Sequence, residues 1–98
     1  MAPMPTPRTG LAAAAVNGKI YAIGGVDANF NILNAVEVYG PGSNSWGAAP
    51  SMPTARSFLA AADANGLVYA IGGTVGVDAV NTVEQYSPPV TIYTFIKN

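Results

Sequence analysis

The 98-residue chain contains no cysteine and no histidine. The first absence excludes disulfides, thiolate metal sites and thiol catalysis, and it leaves the redox compartment unread. The second removes the usual general base near neutral pH and the commonest metal ligand. Charge is scarce as well. Four Lys/Arg and five Asp/Glu give a net charge of −1. At 9% charged residues, the chain falls far below the roughly 25% of an average soluble domain. No basic patch exists to neutralise phosphates, so no nucleic-acid partner is expected. Long apolar runs are missing too. Leu11–Val16 is the compact small-apolar run near the start, and it is too short for a membrane span. Prolines precede it and a basic n-region does not, which argues against a signal peptide. No membrane partner is expected, and the localisation stays open.

What the chain has in quantity is apolar residues, 50% of the total. A domain this small buries a modest fraction of its unfolded surface. With so little charge to disperse it, the chain must pack its apolar faces against copies of itself or against the rest of a longer protein.

The second abundance is repetition. Met4-Pro-Thr-Pro-Arg8 returns as Met52-Pro-Thr-Ala-Arg56, Asn17-Gly18 as Asn65-Gly66, and Tyr21-Ala-Ile-Gly-Gly25 as Tyr69-Ala-Ile-Gly-Gly73. Each pair is 48 positions apart. After one deleted residue the match resumes, Asn34–Pro41 against Asn81–Pro88. A period near 50 residues points to propeller blades, solenoids or arrays, whose units cannot bury their own apolar faces.

Each copy reads as four strands. Leu11–Val16, Asn17-Gly18 and Lys19–Ile23 form a hairpin pattern, since both central residues of a type I′ turn need φ > 0. The second copy repeats it as Leu59–Ala64, Asn65-Gly66 and Leu67–Ile71. The doublets Gly24-Gly25 and Gly72-Gly73 allow a sharp turn or a close backbone approach. Polar loops follow at Val26–Leu33 and Thr74–Val80, then third strands at Ala35–Tyr39 and Thr82–Tyr86, ended by Pro41 and Pro88. A fourth strand is expected around Ser45–Ala48, with Trp46 as its large residue. Its counterpart is expected at Thr91–Ile96, with Tyr93 at the Trp46 position. The alanine run is too short for a stable helix.

Four strands per unit, radially repeated, is propeller-blade arithmetic. The Gly-Gly doublet, then Tyr39 and Trp46, then Met-Pro-x-x-Arg into the next unit, resembles the kelch repeat. The resemblance covers essentially the whole chain, twice, and departs from the family pattern at Tyr93. It implies an all-β fold of two four-stranded antiparallel blades, residues 1–50 and 51–98, with the alanine-rich strand innermost beside a central channel. Some kelch-like propellers are enzymes. The copper-dependent oxidases among them need histidine and a cysteine-linked tyrosine, neither of which this chain can supply. Fold does not confer function by itself.

Most charges recur once per copy: Arg8 with Arg56, Glu37 with Glu84, and Asp27 with Asp78 in the same loop. A catalytic constellation is usually unique, whereas a group present in every blade usually serves the blade. Arg8 and Arg56 can be read as a ring of guanidinium groups holding carboxylates or sulfates. The preferred reading is an internal tie to Glu or to carbonyls, because a mostly buried arginine must be paired. Asp63, where copy one has Ala15, is either part of an acidic channel ring or a solvated residue near a turn, and the second is preferred. Gly73-x-x-Gly76 resembles a fragment of a phosphate loop, but no Lys-Ser/Thr follows, so a backbone role fits better. Tyr21, Tyr39, Tyr69 and Tyr86 read as core. Phe30, an aromatic in a loop of Asn and Asp, is the hint of a contact surface.

The resulting expectation is a non-catalytic scaffold without cofactor or metal. It associates with itself into a closed, six-bladed ring as a homotrimer, with dimer and tetramer as the other even-blade closures. A peptide, protein or glycan ligand would use one channel face, and the candidate residues there are Arg8, Asp27, Asn29, Phe30, Asn31, Arg56, Asp78 and Asn81. Two rival expectations are a C-terminal fragment of a longer kelch protein, which if an enzyme would carry its catalytic residues in other blades, and a designed or amplified repeat with no ligand.

Overall fold

The computed structural model describes residues 1–89. In the first repeat, β1 (Ala12–Val16), β2 (Lys19–Ile23), β3 (Val36–Gly40) and β4 (Ser45–Ala49) form one antiparallel sheet in the order β1-β2-β3-β4. In the second, β5 (Ala60–Ala64), β6 (Leu67–Ile71) and β9 (Val83–Tyr86) form a sheet in the order β5-β6-β9. The strand expected at Thr91–Ile96, with Tyr93, lies outside the described residues.

Both Asn-Gly turns form where their sequence demands. Asn17 and Gly18 have φ of 53° and 74°, and Asn65 and Gly66 have 52° and 77°. They close two-residue hairpins that set the registers Val16↔Lys19 and Ala64↔Leu67. Strand limits differ by a residue from expectation. Leu11 and Leu59 fall just before the first strands, and β3 and β9 begin at Val36 and Val83. At the β3–β4 turn, Asn44 takes φ 50°. The Tyr39 hydroxyl donates to Asn44 Oδ1 at 2.6 Å, and Trp46 packs on Tyr39 with ring centres 5.1 Å apart.

One expected loop is not irregular. Within Thr74–Val80 a miniature hairpin forms from β7 (Thr74–Val75) and β8 (Asp78–Ala79). Gly76, at φ 81°, stands first in its two-residue turn, which is the position where a type II′ hairpin favours glycine. The first repeat has no such glycine between Val26 and Leu33 and folds that loop differently.

The two sheets pack face against face, with β1 lying beside β5. In β1, Ala12, Ala14 and Val16 are buried and Ala13 and Ala15 exposed, the period-2 pattern of a strand covered on one face. Alanine at these positions lets the neighbouring sheet come close. Tyr21, Ile23 and Val36 of the first repeat join Met52, Leu59, Val68 and Ala70 of the second in one core. Tyr21 meets Tyr86 edge-on, centroids 5.9 Å apart, a favoured aromatic geometry.

Backbone bonds stitch the same seam. Met52 N–H donates to Asn34 O at 2.8 Å, Arg56 N–H to Leu33 O at 3.1 Å, and Gly25 N–H to Arg56 O at 2.9 Å. Phe58 N–H reaches Gly10 O at 2.6 Å. The approach is so close that a Cβ on Gly24 would lie 2.5 Å from Arg56 O, so the doublet serves the approach of the next blade as well as the turn.

Burial is unequal between equivalent positions. Ile23 is 2% exposed and its counterpart Ile71 41%, while Val36 is 7% exposed and Val83 58%. Ala12, Ala14 and Val16 are buried, whereas Ala60, Ala62 and Ala64 are exposed. The second sheet covers the first, and among the described residues nothing covers the second on the corresponding face.

Candidate functional site

The recurring charges form an internal clasp in each sheet. Arg8 Nη1 donates to the carbonyls of Gly24 (2.9 Å) and Ala35 (3.1 Å). Its Nη2 donates to Ala22 O (3.2 Å) and to Glu37 Oε1 (2.9 Å). The second Glu37 oxygen accepts from the Thr6 hydroxyl at 3.0 Å. The second repeat copies the arrangement. Arg56 binds Gly72 O and Thr82 O at 2.9 Å, Ala70 O at 3.4 Å and Glu84 Oε1 at 2.8 Å. The Thr54 hydroxyl binds Glu84 Oε2 at 2.8 Å.

Both arginine side chains have zero exposure. The structure therefore places both side chains inside the sheets, where the bonds of each guanidinium end within its own blade. Burial lowers the pKa of Arg8, and the Glu37 carboxylate opposes that shift. A guanidinium remains charged regardless. The clasp gathers carbonyls of the glycine doublet and of the loop into the third strand, and those of Ala35 and Thr82 also accept the Gly24 and Gly72 N–H groups. Arg8 Nε and Arg56 Nε have no partner among the described residues.

The other candidates gather at the end of the sheets where the β2–β3 and β6–β9 connections lie. Asp27 organises the first of these loops. Its Oδ1 accepts from the backbone N–H of Asn29 and of Asn31, each at 2.9 Å, and its Oδ2 accepts from Asn31 Nδ2 at 3.1 Å. These bonds, led by those from Asn31, hold the Asp27 carboxyl below its ordinary pKa. The turn lifts Phe30 into solvent, 87% exposed, at φ 63°. A left-handed backbone costs a side-chain-bearing residue roughly 1–2 kcal/mol, so an exposed Phe there is an unusual choice. Asn29 is exposed beside it.

In the second repeat, Asp78 and Asn81 are exposed on and just after β8, and Val77 at the hairpin tip is 98% exposed. Both loops are pinned to the segment that enters their sheet, through the bridges Thr9↔Val26 and Ser57↔Thr74. Asp27, Asn29, Phe30 and Asn31 are thus brought together in one turn. Asp78 and Asn81 belong to the equivalent place one blade on.

At the loop end, two exposed apolar residues escape sequence reasoning, Val77 and Phe58. Phe58 is 71% exposed at φ 53°. A Cβ on Gly10 would lie 3.3 Å from its ring, so the ring leans on the neighbouring blade. The available signal was the difference between copies. Gly10 and Phe58 are equivalent, both adopt positive φ, and one copy departs from glycine.

Asp63 is exposed on β5, paired in register with Val68. Between the sheets lies an apolar cleft of about 230 Å³, walled by Tyr21, Ile23, Val36, Met52, Val68 and Tyr86. Burial raises the pKa of the Tyr21 phenol, and Tyr86 adds to it. The cleft is smaller than the roughly 300–1,000 Å³ of ligand pockets and belongs to the seam. Among the described residues no three acidic side chains cluster as a metal site, and no helix is long and apolar enough to cross a membrane.

A family model described as the Kelch motif matches residues 7–53 and again residues 55–90. The two matches follow the two sheets. Among curated proteins, none matches the chain.

Proposed function

Because the chain belongs to the kelch-repeat family, whose motifs build propeller-type protein-binding scaffolds, we propose that it is a non-catalytic two-blade unit. It closes into a ring with copies of itself and offers the loop end to a protein partner. The observation that carries this reading is the unequal burial of Ile23 and Ile71, and of Val36 and Val83. The same apolar residues form a covered face in one blade and an open face in the next. Apolar patches of that kind rarely stay bare. A surface shaped to receive one blade receives another of the same sequence, and a head-to-tail interface closes if its rotation fits.

The carboxylates support a role without catalysis. Glu37 and Glu84 are held by Arg8 and Arg56, and Asp27 is held by its own turn. The partner face is the loop end, where Phe30, Phe58 and Val77 stand in solvent with Asp78 exposed beside Val77 on β8.

Light scattering on the purified 98-residue chain tests the proposal. Three chains of 9.9 kDa make a species of about 30 kDa with six blades, inside the four-to-eight range of propellers. Masses near 20 or 40 kDa keep the ring and change its blade count. A stable monomer at micromolar concentration refutes closure by copies and favours a second reading, in which the open face of Ile71 and Val83 receives further blades of a longer chain.

A further inference from the structure

Resting on the proposed ring, we infer that the junction between copies is fixed by four backbone hydrogen bonds whose donors and acceptors stand ready in the segment that enters the first sheet and in the second repeat. Within the chain, the segment that enters the second sheet docks on the loop and doublet of the first. The bonds are Met52 N–H to Asn34 O, Arg56 N–H to Leu33 O, Gly25 N–H to Arg56 O, and Phe58 N–H to Gly10 O.

Moving each group to its equivalent in the other repeat gives the counterpart set. Met4 N–H matches Asn81 O, Arg8 N–H matches Val80 O, Gly73 N–H matches Arg8 O, and Gly10 N–H matches Phe58 O. Among the described residues none of these eight groups has a hydrogen-bond partner. The donors and acceptors split between the two repeats with the polarity of the existing junction. Met4, Arg8 and Gly10 belong to the segment that enters the first sheet, and Gly73, Val80, Asn81 and Phe58 to the second repeat; Gly10 and Phe58 use their other backbone groups, Gly10 O and Phe58 N–H, across the existing seam.

The transfer is justified because the bonds inside each blade are already duplicated. Gly24 N–H to Ala35 O recurs as Gly72 N–H to Thr82 O, and Leu33 N–H to Gly25 O recurs as Val80 N–H to Gly73 O. The exchange between Thr9 and Val26 recurs between Ser57 and Thr74. The bonds that shape the docking surface at the glycine doublet are therefore the same in both blades, although the loop tips beyond it differ. What distinguishes them is that one is occupied. The occupant of the other is the Met4–Gly10 segment of a second copy. That segment repeats Met-Pro-Thr-x-Arg of the segment already seated at Gly24-Gly25. Closing the junction satisfies all eight groups at once and covers Ile71 and Val83, whereas a slipped register leaves polar groups unpaired in the seam, which is costly.

The chain has no cysteine, so introduced pairs report cleanly. Residues joined by these backbone bonds fall within the Cα separation that a disulfide spans, roughly 4.4–6.8 Å. Asn34→Cys with Met52→Cys calibrates the geometry inside one chain. Met4→Cys with Asn81→Cys is its counterpart, and its members belong to different repeats. On mild oxidation the counterpart pair should lose its monomer band on a non-reducing gel and yield cross-linked species up to the native mass. Met4→Cys with Asn65→Cys, at the other end of the second sheet, should stay monomeric on the same gel.

Amide exchange on the unmodified assembly provides a measurement that needs no variant. The Arg8 and Gly73 amides should be slowed as strongly as those of Arg56 and Gly25. An assembly in which Arg8 and Gly73 exchange freely, or in which the calibrating pair closes and Met4/Asn81 does not, overturns this register and leaves the ring intact. A chain that light scattering finds monomeric overturns both.

Discussion

Ile23 and Ile71 occupy the same place in the same sequence motif, yet one is sealed and the other is 41% exposed. Val36 and Val83 differ in the same way. The two blades share their Asn-Gly turns, their clasp and the hydrogen bonds at their glycine doublets. They differ in having a neighbour. Burial in a repeat protein is a property of the contact between units, so neither copy alone states how much of its apolar face is hidden. Stability in such arrays is correspondingly a sum of unit and interface contributions.

The largest expected effect tests what the blades share. Arg56→Ala removes the guanidinium that neutralises the Glu84 carboxylate and donates to the carbonyls of Gly72, Thr82 and Ala70, leaving Glu84 with the Thr54 hydroxyl alone. Removing one member of a buried pair costs about 3–5 kcal/mol, and urea denaturation should report a loss of that order. In dilute, unassembled chains Arg8→Ala should cost less. Arg56 also lies in the seam, where its Nη2 touches Met52 Sδ at 3.7 Å. Equal costs would mean that the seam adds nothing to the clasp.

The second effect tests how the blades differ. Ile23→Ala should destabilise by about 2–4 kcal/mol, as buried truncations do, at every protein concentration. Ile71→Ala should approach that cost only where chains are assembled, and should fall towards zero on dilution. Denaturation midpoints measured across a dilution series separate the two. An Ile71→Ala variant that is neutral throughout would break the proposed closure.

Smaller effects come from the loops. The second blade gives its positive-φ tip to Gly76, and the first gives one to Phe30. Phe30→Gly should therefore raise stability by about 0.5–1 kcal/mol, relieving the left-handed backbone at some entropic cost, and should remove the exposed ring. A thermal midpoint that falls would show that the Phe30 ring contributes to the fold.

The smallest effect is one of pH. Hydrogen bonds depress the Asp27 pKa from its ordinary 3.8. The stabilisation they confer is present above that value and is lost as pH falls through the lower folded value. The amide exchange of Asn29 and Asn31, after correction for intrinsic rates, should quicken in that acid window and not between pH 5 and 7. In the second blade, where no such turn exists, the Val77 and Asp78 amides should show no matching change.

Much of this architecture was legible in the sequence. Asn17-Gly18 and Asn65-Gly66 carried their turns because positive φ at both positions leaves few alternatives. The recurrence of Arg with Glu carried the clasp, since a buried guanidinium needs a partner. The β7–β8 hairpin was less visible, because Gly76-Val77 is a weaker turn signal than Asn-Gly and its strands are two residues long. Phe58 was hidden for another reason. Its exposure follows from a left-handed backbone shared with Gly10, and a Phe between Ser57 and Leu59 reads as core. The asymmetry of Ile71 and Val83 was invisible in principle, because it depends on what stands next to the blade.

The clasp holds one last consequence. Every bond made by the Arg8 guanidinium ends within the first repeat, and every bond made by the Arg56 guanidinium ends within the second. The wiring that organises a unit is thus separate from the wiring that joins units. A gene encoding such a chain can lengthen by whole copies without inventing any new contact, because each added copy brings its own internal fastening and meets the one before it through a junction already in use. Duplication is then structurally neutral at the level of the unit, and the number of copies is free to be set by the circumference that closes.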